Sequence, residues 1–129
     1  MIPWRLVALY VGLGAFFWLV AALFIHWTGP ELWRAGNPWL AFVFLACIPI
    51  GWIFIGVTLV LGGISRREAL VPVSLMCVTG LLLDGIAIST FPSLYGASAE
   101  HVMLGAAWLL WGVGVLLALV LFTDVRARI

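Results

Sequence analysis

Apolar residues fill four stretches of the chain, about 4–26, 38–62, 69–91 and 101–123, and polar residues gather in the short connections between them. A helix needs roughly 20 apolar residues to cross a bilayer, and each stretch supplies them. A membrane strand would alternate apolar and polar residues over about ten positions. Here both faces of every stretch are apolar. The pattern therefore predicts an all-α integral membrane protein: a four-transmembrane-helix bundle forming one domain over residues 1–129. The first run is longer than the core of a secretory signal, and no small-x-small cleavage pattern follows "LFIHWTGPELW". Residues 4–26 are expected to remain as a span.

Breakers refine these boundaries. Pro38 suits the start of the second helix. Pro92 suits a stop after Phe91, and Pro49, which lacks a backbone N–H, is expected to kink the second span. Small residues recur at steps of three and four, which places each series on one helix face. The first span offers Ala8, Gly12, Ala15, Ala22 and His26. The second offers Cys47, Gly51, Thr58 and Gly62. The third offers Cys77, Gly80, Asp84 and Ala87, and the fourth His101, Gly105, Trp108 and Gly112. Membrane helices associate through small residues, so these faces are expected to meet one another or a partner subunit.

Composition and charge sharpen this picture. The 129 residues are 66% hydrophobic and 9% charged, which leaves no soluble domain. A net charge of +1 gives no basic patch for nucleic acid. All six cationic residues are Arg. In a four-span bundle Arg5, Arg66, Arg67, Arg126 and Arg128 share one side and Arg34 stands alone on the other. Positive loops stay cytoplasmic, so both termini and the turn "GISRRE" are expected in the cytoplasm of a bacterium, the protein lying in its inner membrane. Trp27, Trp33, Trp39 and Tyr95 are expected at the outer membrane boundary and Trp4 at the inner one. Cys47 and Cys77 have no metal-ligand spacing and are read as small packing residues; no metal site is expected.

Chemistry has few places to reside. Asp84 lies in the run "LLLDGIAIST" and shares its face with small residues, while Leu75, Leu82 and Ile86 take the opposite face. A charge facing lipid costs several kcal/mol, so Asp84 is expected to point into the bundle or a partner. There it either glues helices, with Thr79, Ser89, an indole or Arg34 as partner, or serves as an ion or proton site. His26 and His101 are expected as solvated residues at helix ends, with contact to a ligand or pigment as the sharper reading. With Asp84 they would make a set able to hold iron or zinc, but Asp84 lies about seven residues deeper than the helix end, which argues against it. The pair Trp108 and Trp111 is expected in the core or against lipid, with a binding wall for a quinone, carotenoid or lipid as the sharper reading. No nucleophile–base pair or phosphate loop is visible, so the chain is not expected to be an enzyme.

Two resemblances add to this. The segment Ala22-x-x-x-His26-Trp27 resembles the pattern with which light-harvesting polypeptides hold the magnesium of bacteriochlorophyll, the small residue leaving room for the macrocycle. Gly29 and Pro30 end the helix sooner than in that family. Separately, "LLLDGIAISTFPSLYG" followed by "GAAWLLWGVGVLLALV" resembles a family of small bacterial four-span membrane proteins of unknown function. That resemblance implies the bundle fold and carries Asp84, Phe91, Pro92, Trp108 and Trp111, but no activity.

Three functions remain open at this point. One is an accessory or scaffold subunit of a larger membrane complex, respiratory or photosynthetic, partnered by lipid and other transmembrane subunits. Another is an oligomeric channel or transporter using Asp84. The third is a binder of lipid, quinone or pigment.

Overall fold

The computed structural model describes residues 2–129. Its helices are α1 (Trp4–Thr28), α2 (Trp39–Leu45), α3 (Cys47–Gly62), α4 (Leu70–Thr90) and α5 (Ala99–Arg128). The last runs five residues past the apolar boundary, because its final turn is stabilised by an Arg128 Nε donation to Asp124 Oδ2 at 3.0 Å. Four helical segments are long and apolar enough to cross a membrane, α2 and α3 together forming one of them.

The second span breaks at Ala46, three residues before Pro49. Pro49 cannot donate to the Leu45 carbonyl, and its ring crowds that turn, so the helix restarts at Cys47. A helix end leaves carbonyls without intrahelical partners. Two of those in the last turn of α2 accept from α5: Trp108 Nε1 donates to the Val43 carbonyl at 3.1 Å and Trp111 Nε1 to the Phe44 carbonyl at 2.7 Å. The expected kink is present, and the Trp-Leu-Leu-Trp spacing is explained by it. One helical turn of α5 presents two indoles to two successive carbonyls.

The two most extensive contacts join spans that are not adjacent in sequence. α1 lies along α4 and α3 along α5, and both pairs run parallel: Gly14 meets Met76 while His26 meets Ser93, and Cys47 meets Gly112 while Gly51 meets Leu119. Contact between α4 and α5 joins the pairs. The small faces of α3, α4 and α5 are largely buried as expected, through Cys47, Gly51, Thr58, Cys77, Asp84, Ala87, His101 and Gly105. The face of α1 differs. Ala8 and Gly12 are exposed, and Tyr10, Gly14, Ala22 and Ile25 form its buried side. Gly14 is the residue that fits, because Met76 and Thr79 leave no room for a larger one there.

The connections are short and tied down. Gly63 takes the left-handed conformation (φ 61°) that ends α3. In the turn after it Ser65 N–H and Oγ both donate to Glu68 Oε1, at 3.0 and 2.9 Å. The Ser65 backbone and hydroxyl thereby hold the Glu68 carboxyl below the usual carboxylate range.

Candidate functional site

Asp84 takes its position from the helix that carries it. Steps of three and four from Cys77 through Gly80 to Ala87 put it on the inward face of α4, where it is 8% exposed. Its partner comes from beyond the end of that helix. After Thr90 the turn Pro92–Leu94 reverses the chain, with Tyr95 N–H donating to the Pro92 carbonyl at 3.0 Å. The Tyr95 ring then enters the bundle and is wholly buried. Its hydroxyl donates to Asp84 Oδ1 at 2.7 Å and accepts from Trp18 Nε1 at 2.9 Å. An ordered relay thus runs from indole to phenol to carboxyl.

Several expectations change here. Tyr95 and Trp33 do not present their rings outward; both are fully buried, because the connections that carry them fold back onto the bundle. Trp33 Nε1 donates to Thr28 Oγ1 at 2.8 Å, and its ring lies 5.7 Å from that of Trp108. Trp27, Trp39 and Trp4 are exposed. Thr79 and Ser89 do not reach Asp84, because their hydroxyls donate back to carbonyls of their own helix. The partner comes instead from the loop, a tyrosine eleven residues on.

Burial and the Asp84 hydrogen bond push the Tyr95 phenol above its ordinary value. A phenol raised in the fold contributes stability that is complete below pH ~10, its unfolded value, and is lost as pH rises through the folded one. The chain has two tyrosines, so Tyr10→Phe leaves Tyr95 as the sole phenol. Phenolate absorbance of that variant is expected to stay silent at pH 10, where an exposed tyrosine is half ionised, and to rise only at higher pH. Half-ionisation at pH 10 in the folded protein would show that Tyr95 is not buried.

The four spans leave a cavity of about 130 Å³ between them. Asp84, Cys47 and Cys77 line it together with the rings of Phe17, Phe54 and Trp108. An apolar cavity of roughly 150 Å³ holds benzene, so this space admits one aromatic ring or a branched group of similar bulk. Both cysteines are free thiols and, besides lining this space, serve as packing residues.

His101 is buried at 1% exposure, not solvated. The Ile25 carbonyl can only accept, so the 2.7 Å contact fixes the hydrogen on His101 Nε2. The ring packs against Gly96, where no side chain would fit, and Nδ1 has no partner. His26 is exposed, and its Nδ1 donates to the Ser93 carbonyl at 3.1 Å. Ala22, one turn before His26, is fully buried. The structure does not bring His26, His101 and Asp84 together, and no cluster of three metal-ligating residues exists among the described residues. Asp124, a second buried carboxyl, was not singled out by the pattern; Arg128 four residues on was its signal.

The family of unknown function DUF5367 matches residues 34–127. The chain belongs to this family. The DUF5367 match covers three of the four spans and holds Asp84, Tyr95, His101, Trp108 and Trp111, whereas Trp18 and His26 precede it. The resemblance drawn from the third and fourth spans is thereby shown. No curated protein and no solved structure matches the chain.

Proposed function

We propose that this protein binds a small, mostly apolar molecule within the bilayer. The observation that supports this most is the cavity among the four spans with one carboxyl, Asp84, in its wall. Binding sites are typically apolar concavities with a few polar groups placed to orient the ligand. The volume suits a ring-sized group, such as the head of a quinone or lipid-derived molecule, and is far too small for a carotenoid or bacteriochlorophyll to be enclosed. On the arginine distribution we place both termini and the 63–68 turn in the bacterial cytoplasm; reporter fusions to either terminus would check this.

Gly80 provides the test. It lines the cavity, and a Cβ there would meet nothing within 4 Å. Gly80→Leu is expected to fill the space, abolish uptake of ring-sized probes by the protein in lipid nanodiscs, and leave thermal stability equal or higher, since Leu is the better helix former. Equal uptake by both proteins would refute the reading.

A second reading, as an accessory subunit of a larger membrane complex, has its own support. Ala8 and Gly12 on α1, and Gly114 and Ala118 on α5, are small residues one turn apart that face outward and take no part in internal packing. Native mass spectrometry after mild solubilisation is expected to retain a co-purifying membrane subunit on this reading; a free monomer in every lipid condition would count against it.

A further inference from the structure

We infer that the ligand of the Asp84 cavity is a lipophilic organic cation of about one aromatic ring, its positive group set against the second carboxyl oxygen of Asp84. This rests on the reading of the cavity as a binding site and names what the site takes.

The hydrogen-bond ledger of the wall points there. Trp18 Nε1 is committed to the Tyr95 hydroxyl, and that hydroxyl to Asp84 Oδ1. Trp108 Nε1 is committed to the Val43 carbonyl. Every strong donor at the cavity is therefore taken by a protein acceptor. What remains is Asp84 Oδ2, an acceptor that carries no protein hydrogen bond and belongs to a residue of the cavity wall. With Asp84 ionised, a ligand whose polar atoms only accept, such as a quinone, finds no strong donor among these groups. A cation finds its complement.

The rest of the wall agrees. The cavity is lined by no arginine, so nothing inside the protein neutralises the carboxylate there. Phe17, Trp18, Phe54 and Trp108 present aromatic rings around the same space. Ring faces attract cations, most strongly when both are out of water. One carboxylate balances one positive charge, and a second charge in the same space would be left unpaired, which low dielectric penalises heavily. The ligand is thus singly charged, with an apolar remainder.

An isosteric pair of probes isolates the charge. Benzylammonium and ethylbenzene, each one ring with a two-atom tail, have nearly the same shape, and only the first is a cation. In nanodiscs, with Gly80→Leu as the blank, Asp84→Asn is expected to weaken the cation tenfold or more and the neutral probe less than twofold. Equal weakening of both, or of neither, overturns the inference while leaving the cavity as a binding site. Failure of wild type to bind either probe above the blank overturns the binding reading itself. If Asp84→Asn does not fold, ¹³C-labelled Asp in wild type decides, since the chain has two Asp residues, Asp84 and Asp124. The cation is expected to move the Asp84 carboxyl resonance and the neutral probe to leave it. A resonance that responds to neither, or alike to both, refutes the pairing.

Discussion

Gly14→Val is expected to destabilise the bundle by about 3 kcal/mol, the upper end of overpacking costs, or to prevent its assembly. Gly12→Val, two residues away, is expected to stay within about 0.5 kcal/mol of wild type. The contrast follows from where each Cβ would point. At Gly14 it would sit 2.8 Å from the Met76 carbonyl oxygen and 3.0 Å from the Met76 Cα. Those are backbone atoms of α4 and cannot swing aside. α1 would have to retreat from α4 along its most extensive contact. The retreat would also draw Trp18, one turn further on, away from the Tyr95 hydroxyl it now reaches at 2.9 Å. At Gly12 nothing lies within 4 Å. Denaturation of both variants in the same detergent, read by tryptophan emission, checks the pair. Similar losses in both would mean that α1 packs through the Gly12 face.

That contrast marks what was legible in the chain. The four spans were legible, because length and hydropathy alone decide whether a helix suits a bilayer. The break in the second span was legible at Pro49, because a missing N–H acts locally. The inward faces of α3 and α4 were legible too, since Asp84 and the glycines around Cys77 admit one orientation away from lipid. α1 was not. Its glycines and alanines lie on more than one face, and only the position of Met76 on another helix selects Gly14 over Gly12. The partner of Asp84 was hidden for a related reason. Tyr95 lies past the helix end, where periodicity stops, and an aromatic residue near a span boundary reads by default as an anchor. Only the reversal at Pro92–Leu94 turns it inward. Trp108 and Trp111 show the converse: their spacing was plain in the sequence, but its meaning needed the open carbonyls of Val43 and Phe44 on a different span.

Tyr95→Phe is expected to cost about 2–4 kcal/mol, although it removes one oxygen and leaves the ring in place. That oxygen serves two groups at once. Without it Asp84 Oδ1 loses a 2.7 Å donor and the Trp18 N–H loses a 2.9 Å acceptor, both in the interior, where water does not replace them freely. A buried polar group left unmatched costs about 1–3 kcal/mol, more when it is charged. Removing the carboxylate as well should recover part of the loss. In a double-mutant cycle Asp84→Leu and Tyr95→Phe are expected to be non-additive by about 1 kcal/mol or more, because the second substitution no longer strands a partner. The loop provides an independent readout. Residues 91–98 are held inward by the Tyr95 hydroxyl, the packing of Gly96 on His101 and the Ser93 contact to His26. Amide exchange at Tyr95 and Gly96, both bonded to the Pro92 carbonyl, should therefore quicken in Tyr95→Phe while amides in mid-α5 do not. Additive losses with unchanged loop exchange would mean that the phenol fills space and holds nothing. Coupled losses with a quickened loop would identify Tyr95 as the latch that keeps Asp84 oriented toward the cavity.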